Sequence, residues 1–305
     1  MKHRILLLGA NGQVGQALQT SLKSLGEVTA CTRAQIDFDQ APGEVAEALK
    51  SLLQQCQPNV VVNATAYTAV DRAQSEPELA RRLNATAPSL IAQAAQAAGA
   101  CVVHYSTDYV FKGDKPDPYL ETDPTEPQSV YGQSKLEGEQ AVANFCERHL
   151  IFRTSWVLSA HGGNFLKTML KLAQERDTLN VVADQVGAPT SAQLLAASTT
   201  QILRLMADQP KADLRWGLYH LAASGQTTWH AYASYVIAQA RAAGWPIRLQ
   251  DVAIYPIATK DYPVAAARPL NSRLATGKVQ QAFDLTLPDW RVGVDAVLQT
   301  LKSSA

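Results

Sequence analysis

An apolar run, Ile5-Leu6-Leu7-Leu8, passes directly into Gly9-Ala10-Asn11-Gly12-Gln13-Val14-Gly15, and the stretch after it places Val14, Leu18, Leu22 and Leu25 at helical spacing. A strand, a glycine turn and an amphipathic helix in immediate succession leave few folds open. Glycines at such a turn let backbone approach a pyrophosphate, while the free amides and dipole of a helix N-terminus attract its charge. The spacing is G-x-x-G-x-x-G and not the G-x-G-x-x-G of the usual dinucleotide fingerprint, so the reading rests on the strand before and the helix after. It predicts that Gly9, Asn11, Gly12, Gln13 and Val14 meet a dinucleotide.

The rest of the first half continues the pattern. Strand candidates at 4–8, 27–32, 59–63, 101–106 and 149–154 alternate with helical patterns at 13–25, 43–56, 77–98 and 130–147. Such alternation predicts right-handed βαβ crossovers and a Rossmann-type, doubly wound parallel sheet. Val60-Val61-Val62 and Cys101-Val102-Val103 are β-branched runs suited to burial on both faces. Pro88 falls inside the 77–98 pattern and predicts a kink or break there. Beyond about residue 155 the alternation loosens, with helical pieces near 192–206, 229–243 and 291–302. The expected division is a dinucleotide-binding domain over 1–155, to which later segments return, and a smaller substrate-binding lobe over 156–305.

Composition narrows the function classes. A chain of 305 residues, 47% of them hydrophobic, has enough apolar material for a large core. Lys plus Arg and Asp plus Glu both total 27, so no basic excess points to nucleic acid. Cys31, Cys56, Cys101 and Cys146 lack metal or redox spacing and read as free thiols of a reducing compartment. Neither a signal-peptide pattern nor a bilayer-spanning apolar stretch is present, which predicts a cytoplasmic protein without membrane contact.

Chemistry concentrates at predicted strand ends. Tyr131-Gly132-Gln133-Ser134-Lys135 puts a phenol and an ammonium one helical turn apart, on one face. A neighbouring ammonium stabilises a phenolate, so Lys135 is expected to bring the Tyr131 pKa down from about 10 and make it a proton donor to a substrate oxygen. Thr107, after the fourth strand, is the natural second donor to that oxygen. The second strand ends Cys31-Thr32-Arg33 with no acid at its tip to hold a ribose 2′-hydroxyl; Arg33 suits a 2′-phosphate, favouring NADPH with NADH as the alternative. Asp37 and Phe38 would meet the adenine. Asn63-Ala64-Thr65-Ala66-Tyr67 ends the third strand in small residues beside which a dinucleotide can pass.

The glycine turn, the hydroxyl after the fourth strand and Tyr131-x-x-x-Lys135 together resemble the extended short-chain dehydrogenases/reductases, which use NAD(P) on nucleotide sugars. Finer strings resemble the dTDP-4-dehydrorhamnose reductases within that superfamily. They are Gly12-Gln13-Val14-Gly15, Ala64 to Asp71, Ser106-Thr107-Asp108-Tyr109-Val110-Phe111, Arg153-Thr154-Ser155-Trp156, Asp184-Gln185-x-Gly187-x-Pro189-Thr190 and Arg268-Pro269-x-Asn271-Ser272. The resemblance implies hydride transfer from NADPH to C4 of a dTDP-4-ketosugar, with Lys135 on the nicotinamide ribose, Tyr131 giving the proton and Thr107 on the C4 oxygen. It also implies that Val70, Asp71, Thr107, Asp108, Tyr109 and Trp156 line the sugar pocket, Trp156 as a flat wall.

Family members that form metal-linked dimers use glutamates where this chain has Ala17 and Gln193. No metal is therefore expected, and a homodimer stays an open option. Two other readings compete: a noncatalytic NADP-binding subunit similar to the regulatory subunit of methionine adenosyltransferase, and a sugar-nucleotide epimerase or dehydratase. Intact Thr107, Tyr131 and Lys135 argue against the first. Tyr109, standing where dehydratases resemble Asp-Glu, argues against a dehydratase.

Overall fold

The computed structural model describes residues 2–303. Its first half alternates as β1 (His3–Leu8), α1 (Gln13–Ser21), β2 (Gly26–Cys31), α2 (Pro42–Cys56), β3 (Val60–Asn63), α3 (Val70–Ser75), α4 (Pro77–Arg81), α5 (Ala87–Ala97), β4 (Cys101–Thr107), α6 (Val130–Phe145) and β5 (His149–Thr154). The second half follows as β6 (Val157–Leu158), α7 (Phe165–Glu175), β7 (Leu179–Val182), β8 (Val186–Gly187), β9 (Thr190–Ser191), α8 (Ala192–Met206), β10 (Gly217–His220), β11 (Thr227–Thr228), α9 (Trp229–Ala242), β12 (Ile254–Ile257), α10 (Gly277–Phe283) and α11 (Trp290–Ser303).

Six strands form one parallel sheet in the order β10-β5-β4-β3-β1-β2. The order reverses beside β1, which is where open α/β sheets of the Rossmann type bind ligands. In register, Leu8 lies opposite Asn63 and Cys31, Asn63 opposite His104, and Thr107 opposite Thr154. That carboxyl edge therefore carries most of the chemistry-bearing residues.

Strand alternation explains the two cores. Ile5, Leu7, Val60, Val62, Val103, Leu150 and Phe152 join one cluster with Leu18 of α1, Leu195 and Ile202 of α8, and Phe283 of α10. Leu6, Leu8, Val61, Val102 and Ile151 join the other with Leu49 of α2, Ile91 of α5 and Val142 of α6. Each fully buried Leu, Ile or Val contributes about 1.5–3 kcal/mol of transfer free energy, so a two-faced core of this size dominates the stability of the fold.

Segments beyond residue 156 do rejoin the sheet. Helix α8 packs on α1, where Ser21 Oγ and Thr200 Oγ1 are 2.7 Å apart, and β10 adds a sixth strand beside β5. No strand pattern marks β10 in the sequence, because it is four residues long and fits no longer alternation. The remaining lobe packs α7, α9 and α11 around Leu166, Tyr232, Val236, Trp290 and Val294, with β7 and β12 paired in parallel at its side.

Pro88 acts through what lies before it. The 77–98 pattern is not one helix: α4 passes into a π turn, Arg82–Thr86, in which the Ala87 amide donates to the Arg82 carbonyl five residues back. Pro88, lacking an N–H, cannot bond the Asn84 carbonyl four residues before it. Gly138 of α6 packs against that carbonyl, where a Cβ would sit 2.0 Å from Asn84 O. The expected 13–25 helix likewise ends early, at Ser21, and closes with a 3₁₀ turn over Leu22–Ser24.

Candidate active site

At the tip of β1 the chain makes a cradle. Gly9 has φ +78°, and a Cβ there would lie 2.8 Å from the Ala64 carbonyl carbon; at Gly15 it would lie 2.0 Å from Gly9 O. Only glycine fits either place. No side chain caps α1 at Gly12, so its first amides stay available to an anion. Gly9, Asn11, Gly12, Arg33, Asp37, Phe38, Ala64, Thr65 and Ala66 line one cleft of about 220 Å³, together with Thr32, Ile36 and Leu83. This groove between the β1, β2 and β3 tips has the small walls and free amides that a dinucleotide needs.

Five of the expected cofactor residues, Gln13, Val14, Tyr67, Tyr131 and Lys135, do not line that cleft. Val14 packs into the core cluster beneath α1. Gln13 instead accepts a hydrogen bond from Asn164 Nδ2 at 2.9 Å, tying α1 to the loop before α7. Tyr67 donates to Glu76 Oε2 at 2.5 Å, and its ring joins Tyr131 in a small cluster beneath α3. Arg33 also differs from its expectation of standing without an acid. The loop after β2 folds Asp37 back to 3.0 Å and Asp39 to 3.6 Å from its guanidinium. Acidity at this tip comes from loop geometry, which the strand-end pattern does not carry.

The candidate catalytic groups meet where β4 ends and α6 begins. Ser129 caps α6 by accepting from the Gly132 amide at 3.1 Å, and Gly132 lets the helix rest on the Tyr109 carbonyl. This holds Tyr131 over Thr107. The Thr107 hydroxyl donates to Asp108 Oδ1 at 3.1 Å and accepts from the Tyr109 amide at 3.2 Å. Burial pushes the Tyr131 phenol up to about 12, with the Thr107 hydroxyl lowering it and the Asp108 carboxylate raising it. The expected lowering by Lys135 is thus overturned: burial of the phenol raises its pKa, and the Lys135 charge is not among the groups that shift it.

Lys135 is 2% exposed and donates to the Tyr105 carbonyl at 2.6 Å. Its own pKa is brought down to about 8 by burial, against a raising effect of Glu139. Asp108, 3% exposed, is pushed up to about 6 by burial, offset in part by the Ser272 and Thr107 hydroxyls. Several buried polar atoms here have no hydrogen-bond partner, among them Asp108 Oδ2, Ser106 Oγ and Thr154 Oγ1. Buried polar groups of this kind are costly unless something polar binds to them, and their clustering marks the edge as a binding site.

A second cleft, of about 260 Å³, opens between the sheet edge and the lobe. Asp71, Tyr109, Gln185, Trp229, Tyr262 and Arg268 are among its walls. Asp71 accepts from Arg268 Nη2 at 2.6 Å and from the Ala266 amide at 3.1 Å. Tyr109 joins this cleft to the first cluster, its ring edge-on to Tyr131 at 5.5 Å. Val70 packs beside Tyr131 and Tyr109 in the small cluster under α3. Trp156 lies one layer behind: its indole stacks on Trp229 at 3.6 Å and lies against Gly187, and its backbone takes φ +48°. Trp229 is the member of that stack on the cleft wall.

Sequence reasoning did not single out Asn84, Glu139, Arg268 or Trp229. Asn84, fully buried in the π turn, clasps both backbone groups of Tyr67 and donates to Ser134 Oγ at 3.0 Å. Glu139 accepts from Arg153 Nε at 2.9 Å and from Nη2 at 2.7 Å. A charge directly after the apolar Leu150-Ile151-Phe152 run, inside the same strand, was the available signal for Arg153. Among the described residues no helix is long and apolar enough to cross a membrane.

A glycine turn on a doubly wound parallel sheet, with Tyr-x-x-x-Lys on a helix against β4, defines a short-chain dehydrogenase/reductase of the extended type. Residues 2–303 match the family profile described as the RmlD substrate binding domain. The chain is 50% identical over 300 residues to a dTDP-4-dehydrorhamnose reductase of Escherichia coli K12, covering 97% of each, and 51% identical to that of Shigella flexneri over the same length and coverage. A crystal structure of dTDP-4-dehydrorhamnose reductase from Bacillus anthracis, in complex with NADP, superposes with a TM-score of 0.86 at 31% identity, covering 98% of this chain and all of that one. The chain belongs to the dTDP-4-dehydrorhamnose reductase family.

Proposed function

We propose that the protein reduces the C4 ketone of dTDP-4-dehydro-L-rhamnose to dTDP-L-rhamnose with NADPH. The observation that carries this reading is the Thr107–Asp108–Tyr131 cluster at the sheet's carboxyl edge, joined through Tyr109 to a second, nucleotide-sized cleft. The names of the relatives and the NADP held by the Bacillus anthracis structure support it.

The Gly9–Ala66 cleft suits the adenosine and pyrophosphate end of a dinucleotide, with the α1 amides on the pyrophosphate, Arg33 toward a 2′-phosphate and Phe38 beside the adenine. Bound there, NADPH supplies the hydride. Because Asp37 and Asp39 already share the Arg33 charge, the preference for NADPH is moderate and NADH is accepted. Asp71, Tyr109 and Arg268 hold the sugar nucleotide, and Trp156 braces Trp229 behind the cleft wall.

Thr107 and Tyr131 hydrogen-bond the C4 oxygen as negative charge develops on it. A phenol held near 12 keeps its proton throughout the neutral range, yet still protonates a secondary alkoxide, which is far more basic. Lys135 binds the ribose and stabilises the phenolate left behind. The general-acid role therefore needs no lowered resting pKa. The test is NADPH and NADH oxidation with a panel of dTDP- and UDP-4-ketosugars. Turnover strongest with dTDP-4-dehydro-L-rhamnose supports the proposal. Cofactor binding without turnover on any ketosugar refutes it in favour of a noncatalytic subunit.

A further inference from the structure

Behind Lys135 lies a buried ion pair that the proposed reaction does not use directly. Glu139 and Arg153 are 3% and 4% exposed, and the guanidinium grips both carboxylate oxygens in a two-bond fork at 2.9 and 2.7 Å. Stability alone is a poor account of such a pair, since apolar residues of similar volume usually serve as well or better. Its placement is more telling. Glu139 stands one helical turn beyond Lys135 on α6, so the carboxylate that Arg153 grips shares a helix face with Lys135 and its charge raises the Lys135 pKa. Arg153 is further pinned with its guanidinium over the Phe111 ring at 4.9 Å, and Nη1 has no hydrogen-bond partner.

We propose that Glu139 and Arg153 are positioning residues for the proton donor: Arg153 fixes the Glu139 carboxylate where its negative charge holds buried Lys135 as an ammonium, so that a cation stays beside Tyr131 through turnover. This rests on the reading of Tyr131 as the general acid.

The groups that face Lys135 leave this task to Glu139. From α6 comes Glu139, with Tyr131 one turn before Lys135 on the same helix; from β4 come the Tyr105 carbonyl and His104. His104 is kept neutral, its pKa held well below the usual value by burial and by the Lys135 charge. From β5 comes Arg153, whose charge is spent on Glu139. His220, opposite Arg153 on β10, is pushed down to about 3 by burial and by Arg153, and adds no charge at neutral pH. Asp108 acts on Tyr131. Burial has already brought Lys135 down to about 8, so loss of the one opposing negative charge tips it toward the neutral amine under working conditions.

The experiment is a pH titration of Lys135 by NMR in lysine-labelled protein, assigned with Lys135→Arg, alongside the pH profile of NADPH oxidation. In Glu139→Gln the Lys135 midpoint falls by about one unit or more. The alkaline limb of the rate profile moves acidward with it, and activity returns to within about twofold of wild type near pH 6. An unmoved midpoint, with a rate loss equal at every pH, overturns the proposal in favour of a merely structural pair. Should Glu139→Gln fail to fold, the double variant Glu139→Leu/Arg153→Met carries the same test with an apolar pair. It is expected to fold and to show the same shift, and a folded double variant without the shift also overturns the proposal. Wild-type protein that turns over no ketosugar refutes the reductase reading by itself, while the NMR midpoint still decides this one.

Discussion

Asp108 is a carboxyl group placed where water cannot reach it, and its protonation is coupled to stability. Its folded value, about 6, lies above the value near 4 of an unfolded chain. A group raised in this way contributes stability that is fully present below about pH 4 and is lost as pH rises through about 6. Asp108→Asn keeps the shape and the acceptor for Thr107 but has no charge to bury. Wild type is therefore expected to match the variant near pH 4 and to fall behind it by about 2–3 kcal/mol at pH 7, as measured by urea unfolding at both pH values. A stability difference that stays constant with pH would contradict this. At this scale Thr107, Asp108, Tyr131 and Lys135 were legible because each belongs to a short string. Arg268 shows no role in the sequence, since its partner Asp71 lies 197 residues away. The direction of the Tyr131 shift is not legible from spacing, which shows an ammonium one turn away and hides the burial that raises the pKa.

Elements were legible wherever a hydrophobic period ran long enough to be counted. Strands β1 to β5 and helices α2, α6 and α8 stand close to their expected bounds, since alternation and helical spacing over many residues encode burial directly. Strand β10 was missed because four residues fix no period, and its place is set by the open edge of β5. The π turn shows a subtler loss: Pro88 announced a break, while the shape of the break depends on Gly138 of another helix meeting the Asn84 carbonyl. Two glycines separate these effects. Gly138→Ala would drive a Cβ to 2.0 Å from Asn84 O and is expected to cost about 1–3 kcal/mol, as overpacking does. Gly43→Ala, in the first turn of α2 with nothing within 4 Å of the added Cβ, is expected to be neutral or to stabilise by about 0.5–1 kcal/mol. Thermal unfolding of the two variants checks the pair, and equal effects would refute the packing argument.

At the scale of the whole molecule, the sheet edge and the lobe enclose a working space that neither forms alone. Asp71 from α3 and Arg268 from the loop after β12 join across it, and Gln13 and Asn164 join the α1 side to the lobe. The change in pattern near residue 155 marks where regular strand-helix alternation ends in the sequence, and β10 joins the sheet from beyond it. The bridging contacts were not legible there, because they pair positions with no local relation. Arg268 lines the cleft proposed for the sugar nucleotide and not the one proposed for the dinucleotide, so Arg268→Gln should raise KM for the dTDP-sugar about tenfold or more while leaving NADPH affinity within about twofold. Fluorescence titration of NADPH beside steady-state kinetics separates the two, and equal losses would instead mean a general collapse of the cleft. The most direct test of the whole account is stopped-flow NADPH oxidation in a single turnover with dTDP-4-dehydro-L-rhamnose, comparing wild type with Tyr131→Phe. The variant keeps the ring buried against Tyr109 and loses only the proton; the predicted result is near-normal NADPH binding with a rate reduced by about 10² to 10⁴. A variant that reduces the ketosugar at the wild-type rate would contradict the assignment of Tyr131 as the acid.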